Sequence, residues 1–172
     1  MSFRLPKTFL DGGKMSTRQA LMGKKVPAFK MPATSETQVQ LSKLKGQKVI
    51  LFFYPKDDTP GCTKEGEGFR DHYKKFQKLG AEIFGISRDS LKSHEKFKEK
   101  FKFPFELISD EDEELCSLFD VIKEKNMYGK KVMGIERSTF VLDENGKLIK
   151  EWRKVKVPGH VEEVLDFVKG LE

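Results

Sequence analysis

The run from Lys48 to Tyr54, Lys-Val-Ile-Leu-Phe-Phe-Tyr, is apolar at every position after the first and is bounded by Gly46 and Pro55. That pattern predicts a strand buried on both faces. Ala81 to Ser87 predicts a second one. Between them Phe69, Tyr73, Phe76 and Leu79 recur at helical spacing until Gly80 ends the run, so strand, helix and strand form a parallel crossover unit. A further helix is predicted over Asp89–Phe101, with Leu91, His94, Phe97 and Phe101 on one stripe. Pro104 separates it from a short strand near Phe105–Ile108. Ser109 and the acids Asp110, Glu111 and Asp112 open another helical segment, whose apolar residues are Leu115, Cys116, Leu118 and Phe119. Residues 121–135 are polar, contain glycine and read as a loop. Ser138–Leu142 and Lys147–Trp152 then flank Asp143-Glu144-Asn145-Gly146, where Asn-Gly supplies the positive φ of a tight hairpin turn. Val161, Val164, Leu165, Val168 and Leu171 lie on one face of a closing helix.

From Val49 onward the order is therefore β-α-β-α-β, a helical segment, a β-hairpin and a last helix. This predicts an α/β domain with a mixed central sheet and helices on both faces, in a thioredoxin-like arrangement. A flavodoxin-like sheet would end in a parallel strand reached through a helix, whereas this one ends in a hairpin. The domain is expected over residues 26–172. Residues 1–25 are basic, with Asp11 the only acid and Gly12-Gly13 inside, and are read as a flexible N-terminal extension rather than a targeting segment.

The chain of 172 residues is of single-domain size, and its 15 Phe against one Trp and three Tyr point to a core built on phenylalanine. No apolar run reaches membrane-spanning length. The formal net charge of +6 raises the question of an acidic partner. Its bases, however, are scattered among acids, as from Lys92 to Lys102, which is the pattern of a solvated face. The three histidines lack ligand spacing and are read as surface or helix-edge residues, so no metal or cofactor is expected. Two cysteines, Cys62 and Cys116, form neither a Cys-x-x-Cys pair nor a disulfide framework, which favours a reducing, cytoplasmic compartment.

Open α/β sheets place their chemistry beyond the carboxyl ends of their strands, and here that is Pro55–Thr63. The segment Tyr54-Pro55-Lys56-Asp57-Asp58-Thr59-Pro60-Gly61-Cys62-Thr63 has two prolines that stiffen it and a glycine that permits a sharp bend into the next helix. Cys62 is thus expected in the first helical turn, where unpaired N–H groups and the helix dipole favour thiolate over thiol. It is the candidate nucleophile. Thr59, three residues earlier, is placed to bond the sulfur or an incoming oxygen if the loop curls back. Glu65 is either a support for the pocket or simply a favourable carboxylate in a first helical turn.

Pro55, Thr59 and Cys62 fall on the Pro-x-x-x-Thr-x-x-Cys signature, and the chain resembles the peroxiredoxins. Thr-Pro-Gly-Cys-Thr, with Arg70-Asp71, Gly85-Ile86-Ser87, Ser109-Asp110-Glu111 and Arg137-Ser138-Thr139-Phe140, is similar to the bacterioferritin comigratory protein or peroxiredoxin Q subgroup, from about Val26 to the C-terminus. The resemblance implies a thiol-dependent peroxidase that reduces hydrogen peroxide and organic hydroperoxides. In it Cys62 attacks the peroxide O–O bond, Pro55 shields the pocket, Thr59 orients the substrate and Arg137 stabilises the thiolate and the departing oxygen. By charge pattern alone Arg137 reads as one more solvated base.

The implied product is a Cys62 sulfenic acid. Many members of the subgroup carry a resolving cysteine five residues after the first, but that position is Glu67 here. Cys116 is the remaining internal candidate, though it lies where a small core residue is also expected. An external thiol is the simpler resolver, supplied by thioredoxin, glutaredoxin or a small molecule. A monomer or weak dimer is expected. The alternative function is a basic nucleic-acid-binding module without catalysis, which the core-like spacing of the aromatics disfavours.

Overall fold

Strand β3 (Lys48–Phe53) sits at the centre of the domain with all six residues buried, as its continuous apolar run requires. The computed structural model describes residues 21–172. Two antiparallel strands, β1 (Lys30–Ala33) and β2 (Thr37–Gln40), precede β3 and are joined to it through a short 3-10 turn, Leu41–Leu44. After β3 come α1 (Pro60–Asp71), α2 (Tyr73–Lys78), β4 (Ala81–Ser87), α3 (Leu91–Phe101), β5 (Glu106–Ser109) and α4 (Glu114–Leu118). The chain ends with β6 (Ile122–Met127), β7 (Lys130–Ile135), β8 (Ser138–Leu142), β9 (Leu148–Trp152) and α5 (His160–Lys169).

The main sheet has seven strands in the order β2-β1-β5-β4-β3-β8-β9. β3, β4 and β5 are parallel, while β8 pairs antiparallel with β3, Val49 facing Leu142 and Phe53 facing Ser138. Because successive strand residues point to opposite faces, β3 divides the core in two. Ile50, Phe52 and Tyr54 pack with Cys62 and Phe69 of α1, Phe76 of α2, Phe97 of α3 and Val164 of α5. Val49, Leu51 and Phe53 pack on the other side with Leu115 and Cys116 of α4, Phe119 and Phe140. Each fully buried Phe contributes about 1.5–3 kcal/mol, so the phenylalanine-rich composition is a property of the core.

Helix α1 begins where the chain leaves β3 because Thr59 is extended and Pro60 opens the first turn, with its ring preset to a helical φ. The predicted continuous helix to Leu79 is instead two, broken at His72. Ser90 caps α3 by accepting from the Ser93 amide at 3.2 Å. The hairpin at Asp143–Gly146 forms as expected, with Gly146 at φ +79° and Asp143 Oδ1 accepting the Asn145 and Lys147 amides at 2.9 and 3.0 Å.

Two expectations need correction. Residues 121–135 form the hairpin β6–β7 around Tyr128 and Gly129, separate from the main sheet. Neither of its faces is deeply buried, so its strands lack the apolar alternation that marks a strand. The expected extension lies mostly outside the described residues, but 21–25 are attached to the domain. Leu21 is buried, the Gly23 amide donates to Leu148 O at 2.8 Å, and Lys25 bridges to Lys147.

Candidate active site

Cys62 lies in the first turn of α1, third residue of the helix, and is buried with 1% of its surface exposed. The first backbone bond of the helix runs from the Thr63 amide to Thr59 O at 2.8 Å, so the amides of Gly61 and Cys62 precede it and face the helix entrance. Arg137, in the link between β7 and β8, reaches across from the far side. Its Nη1 and Nη2 each donate to Cys62 Sγ at 3.6 Å, both prongs of one guanidinium closing on one sulfur. Gly61 makes room for this fork, since a Cβ there would lie 3.1 Å from Arg137 Nη2.

Glu65 holds the fork in place. One turn beyond Cys62 and fully buried, it accepts from Arg137 Nη1 through Oε1 at 2.8 Å, while Oε2 has no hydrogen-bond partner. Burial raises the Glu65 carboxyl from 4.5 to about 7, although the charge and hydrogen bond of Arg137 pull it the other way. For Arg137 burial acts downward, but the charges of Glu65 and Cys62 outweigh it and raise its pKa. Glu65 thus sits close to its ionisation edge near neutral pH, while Arg137 stays charged.

A pH dependence follows. The folded-state pKa of Glu65 is above its unfolded value, so its contribution to stability is fully present below about pH 4.5 and lost as pH rises through about 7. The expected size is about 3 kcal/mol at most. Wild type should therefore lose stability relative to Glu65→Gln between pH 4.5 and 7.5, read from urea unfolding at several pH values. A difference that stays constant with pH would contradict this.

The other residues singled out in the sequence fall as follows. Pro55 is half-buried, directly after Tyr54 at the end of β3. Thr59 is half-buried and its hydroxyl donates to Lys56 O at 2.8 Å, so its proton is committed within the loop and its lone pairs remain to accept. Cys116 is apart from this group. It packs on the opposite face of the sheet, its thiol pKa pushed up by burial and by Asp110, whose carboxylate also takes its backbone amide at 2.7 Å.

Sequence reasoning missed residues around the site. His94 and His160, read as surface or edge residues, are buried, with His94 fully enclosed. Lys125 of β6 comes close enough for Arg137 to lower its pKa, after burial, and donates to Ile135 O. No local pattern marks a lysine in a polar hairpin as a neighbour of a cysteine so distant in sequence.

This chain is similar to known proteins over most of its length. A model of the AhpC/TSA family matches residues 22–151. A peroxiredoxin Bcp of Xanthomonas campestris is 56% identical over 134 residues, covering 78% of this chain and 84% of its own. A peroxiredoxin Bcp of Bacillus subtilis is 49% identical over 150 residues, 87% of this chain and 96% of its own. The solved structure of Xanthomonas campestris peroxiredoxin Q superposes with a TM-score of 0.79 at 52% identity, covering 83% of this chain and 90% of that one. A second structural study of the Xanthomonas campestris bacterioferritin comigratory protein, concerned with its alkyl peroxide reduction activity, gives a TM-score of 0.79 at 51% identity, with 83% and 90% coverage. The nucleic-acid module has no support from these relatives, and among the described residues Tyr128 is the only aromatic among the exposed large hydrophobic side chains. With its thioredoxin-like fold and its relatives named as peroxiredoxins, this chain belongs to the AhpC/TSA family as a thiol-dependent peroxidase of the Bcp and peroxiredoxin Q type.

Proposed function

We propose that Cys62 is the peroxidatic residue and that the cycle uses one protein cysteine and an external thiol. The observation that carries this is the Arg137 fork on Cys62 Sγ at the first turn of α1. Two fixed N–H donors and a helix entrance surround one sulfur, a setting suited to negative charge on it and on an oxygen next to it.

In the first step the Cys62 sulfur anion attacks the terminal oxygen of a hydroperoxide. An S–O bond forms, the O–O bond breaks, and the departing alkoxide or hydroxide takes a proton to leave as alcohol or water. The sulfur is oxidised to sulfenic acid and the peroxide reduced. Arg137 offers charge and N–H donors to the oxygen as its electrons accumulate. Thr59, its own proton given to Lys56 O, accepts the peroxide O–H and orients it. Pro55 limits solvent at the mouth of the site, and Glu65 aligns Arg137.

In the second step an external thiol attacks the sulfenic sulfur and releases water, and a second thiol frees Cys62 with formation of a disulfide in the reductant. Glu67 stands five residues after Cys62, where the family resemblance implies a resolving cysteine in many members. Cys116 lies across the sheet, and a bridge needs Cα atoms within about 7 Å. Thioredoxin, glutaredoxin or a small dithiol are the candidate reductants, and hydrogen peroxide and organic hydroperoxides the substrates. Both described cysteines are free, which suits a reducing, cytoplasmic setting.

The test is steady-state consumption of hydrogen peroxide and of an alkyl hydroperoxide with dithiothreitol as reductant. Cys116→Ser should keep turnover within about twofold of wild type, because its thiol stays in the core throughout. A loss of turnover with normal first-step oxidation of Cys62 would restore an internal resolver.

A further inference from the structure

The loop that presents Cys62 is anchored inside the domain at one residue, Asp57. From Pro55 to Gly61 only Asp57 is buried, with 7% of its surface exposed. Its amide donates to Asp89 Oδ2 at 2.9 Å, and its Oδ1 accepts the Tyr54 hydroxyl at 2.7 Å. Its Oδ2 accepts from Ser93 Oγ at 2.7 Å and faces His94 Nδ1, also at 2.7 Å. The loop's other side-chain bonds are weaker anchors. Thr59 to Lys56 lies within the loop, and Lys100 to Asp58 is an exposed ion pair of little energetic weight. Asp58 also sits at φ +57°, a conformation a non-glycine residue holds only where its surroundings impose it.

His94 completes the anchor. Its Nε2 lies 2.9 Å from Ile108 O, and since a carbonyl only accepts, that nitrogen carries a proton. Its Nδ1 therefore meets Asp57 through a second proton, held between nitrogen and carboxylate. The bond to β5 fixes the ring, and the bond to Asp57 ties the loop to α3. Facing ligand atoms of Asp57, Asp89 and His94 lie within 4.8 Å of one another, but they are engaged with protein donors, since Asp89 Oδ2 also takes Ser87 Oγ at 2.5 Å. The cluster is built as a clamp and not as a cation site.

We propose that His94 is a positioning residue for peroxide reduction: through its bond to Asp57 it ties the Pro55–Gly61 loop to α3, and through the loop sets the placement of Cys62 Sγ in the Arg137 fork. This rests on Cys62 being the reacting sulfur. Neither His94 nor Asp57 touches the sulfur or the peroxide. Their effect is geometric, and a displacement of about 1 Å at a reacting atom costs on the order of 100-fold in rate.

Two amides separate the two bonds of the imidazole. Asparagine places its N–H where Nδ1 stands and keeps the bond to Asp57, whereas glutamine reaches the position of Nε2 and keeps only the bond to Ile108 O. The second-order rate constant for Cys62 oxidation by hydrogen peroxide is measured per folded molecule by competition kinetics, with thermal melting in parallel. His94→Gln should lose at least about tenfold, and His94→Asn should restore most of that rate. If His94→Gln does not fold, Tyr54→Phe removes another of the three side-chain donors to Asp57 and should slow the reaction by about fivefold. A wild-type rate in His94→Gln or in Tyr54→Phe overturns the proposal, as does an equal loss in both His94 variants. If Cys62 of wild type itself does not react with peroxide, the clamp and the peroxidatic assignment fall together. If it reacts and the variants match it, the clamp alone falls.

Discussion

Cys62→Ser should reduce peroxidase turnover by at least about 10³-fold, to the background of the assay, in a protein that still folds. A serine hydroxyl stays protonated at neutral pH and its oxygen does not carry the peroxide oxygen as a stable intermediate, so the step that splits the O–O bond has no nucleophile. The fold should tolerate the change. Serine is nearly isosteric, and the Arg137 fork that now meets Sγ at 3.6 Å offers donors to the new hydroxyl, which spares it a buried unpaired group. Turnover with hydrogen peroxide and dithiothreitol, alongside far-ultraviolet dichroism, reads both parts of the expectation. Retained turnover in the serine variant would mean that another group reduces peroxide.

The second large effect is expected at Arg137. Arg137→Met removes charge and both donors from the sulfur, and should lower the second-order rate constant for peroxide by about 10²–10³-fold, the size found when one fixed donor to a developing oxyanion is lost. Arg137→Lys keeps a positive charge but not the planar fork, and should recover only part of that loss, because a single ammonium does not address Cys62 and Glu65 together. Stability provides a second reading. Removing Arg137 leaves Glu65 buried without its partner, normally a cost of about 3–5 kcal/mol, which Glu65 lessens by keeping its proton. The double change Arg137→Met with Glu65→Gln should therefore regain stability while staying as slow as Arg137→Met. Equal recovery of rate and stability would show that Arg137 acts only through folding.

The parts of this molecule legible in its sequence are those with a local cause. β3 and β4 announce themselves because a strand buried on both faces must be apolar throughout, and α1 begins at Pro60 because a proline after an extended Thr59 starts a helix. Cys62 is legible for the same reason: its place at the helix start follows from the residues beside it. The hairpin β6–β7 is not legible, since Lys123, Lys125, Lys130 and Lys131 leave no buried face to impose a period. Arg137 is visible only through the family signature, because what separates it from the other bases is a partner brought near by the fold. His94 appears in the sequence as one position of the apolar stripe of α3. Its polar partners come from two other segments, at Asp57 and Ile108, and only the folded sheet brings them together.

All of these expectations depend on which atom takes the peroxide oxygen. Wild-type protein, reduced and freed of thiol, is mixed with one equivalent of hydrogen peroxide in the presence of dimedone, and the adducts are mapped by mass spectrometry. The account predicts a near-stoichiometric sulfenic acid adduct on Cys62 and none on Cys116. Peroxide consumed with Cys62 unmodified, or with the adduct on Cys116, would contradict it.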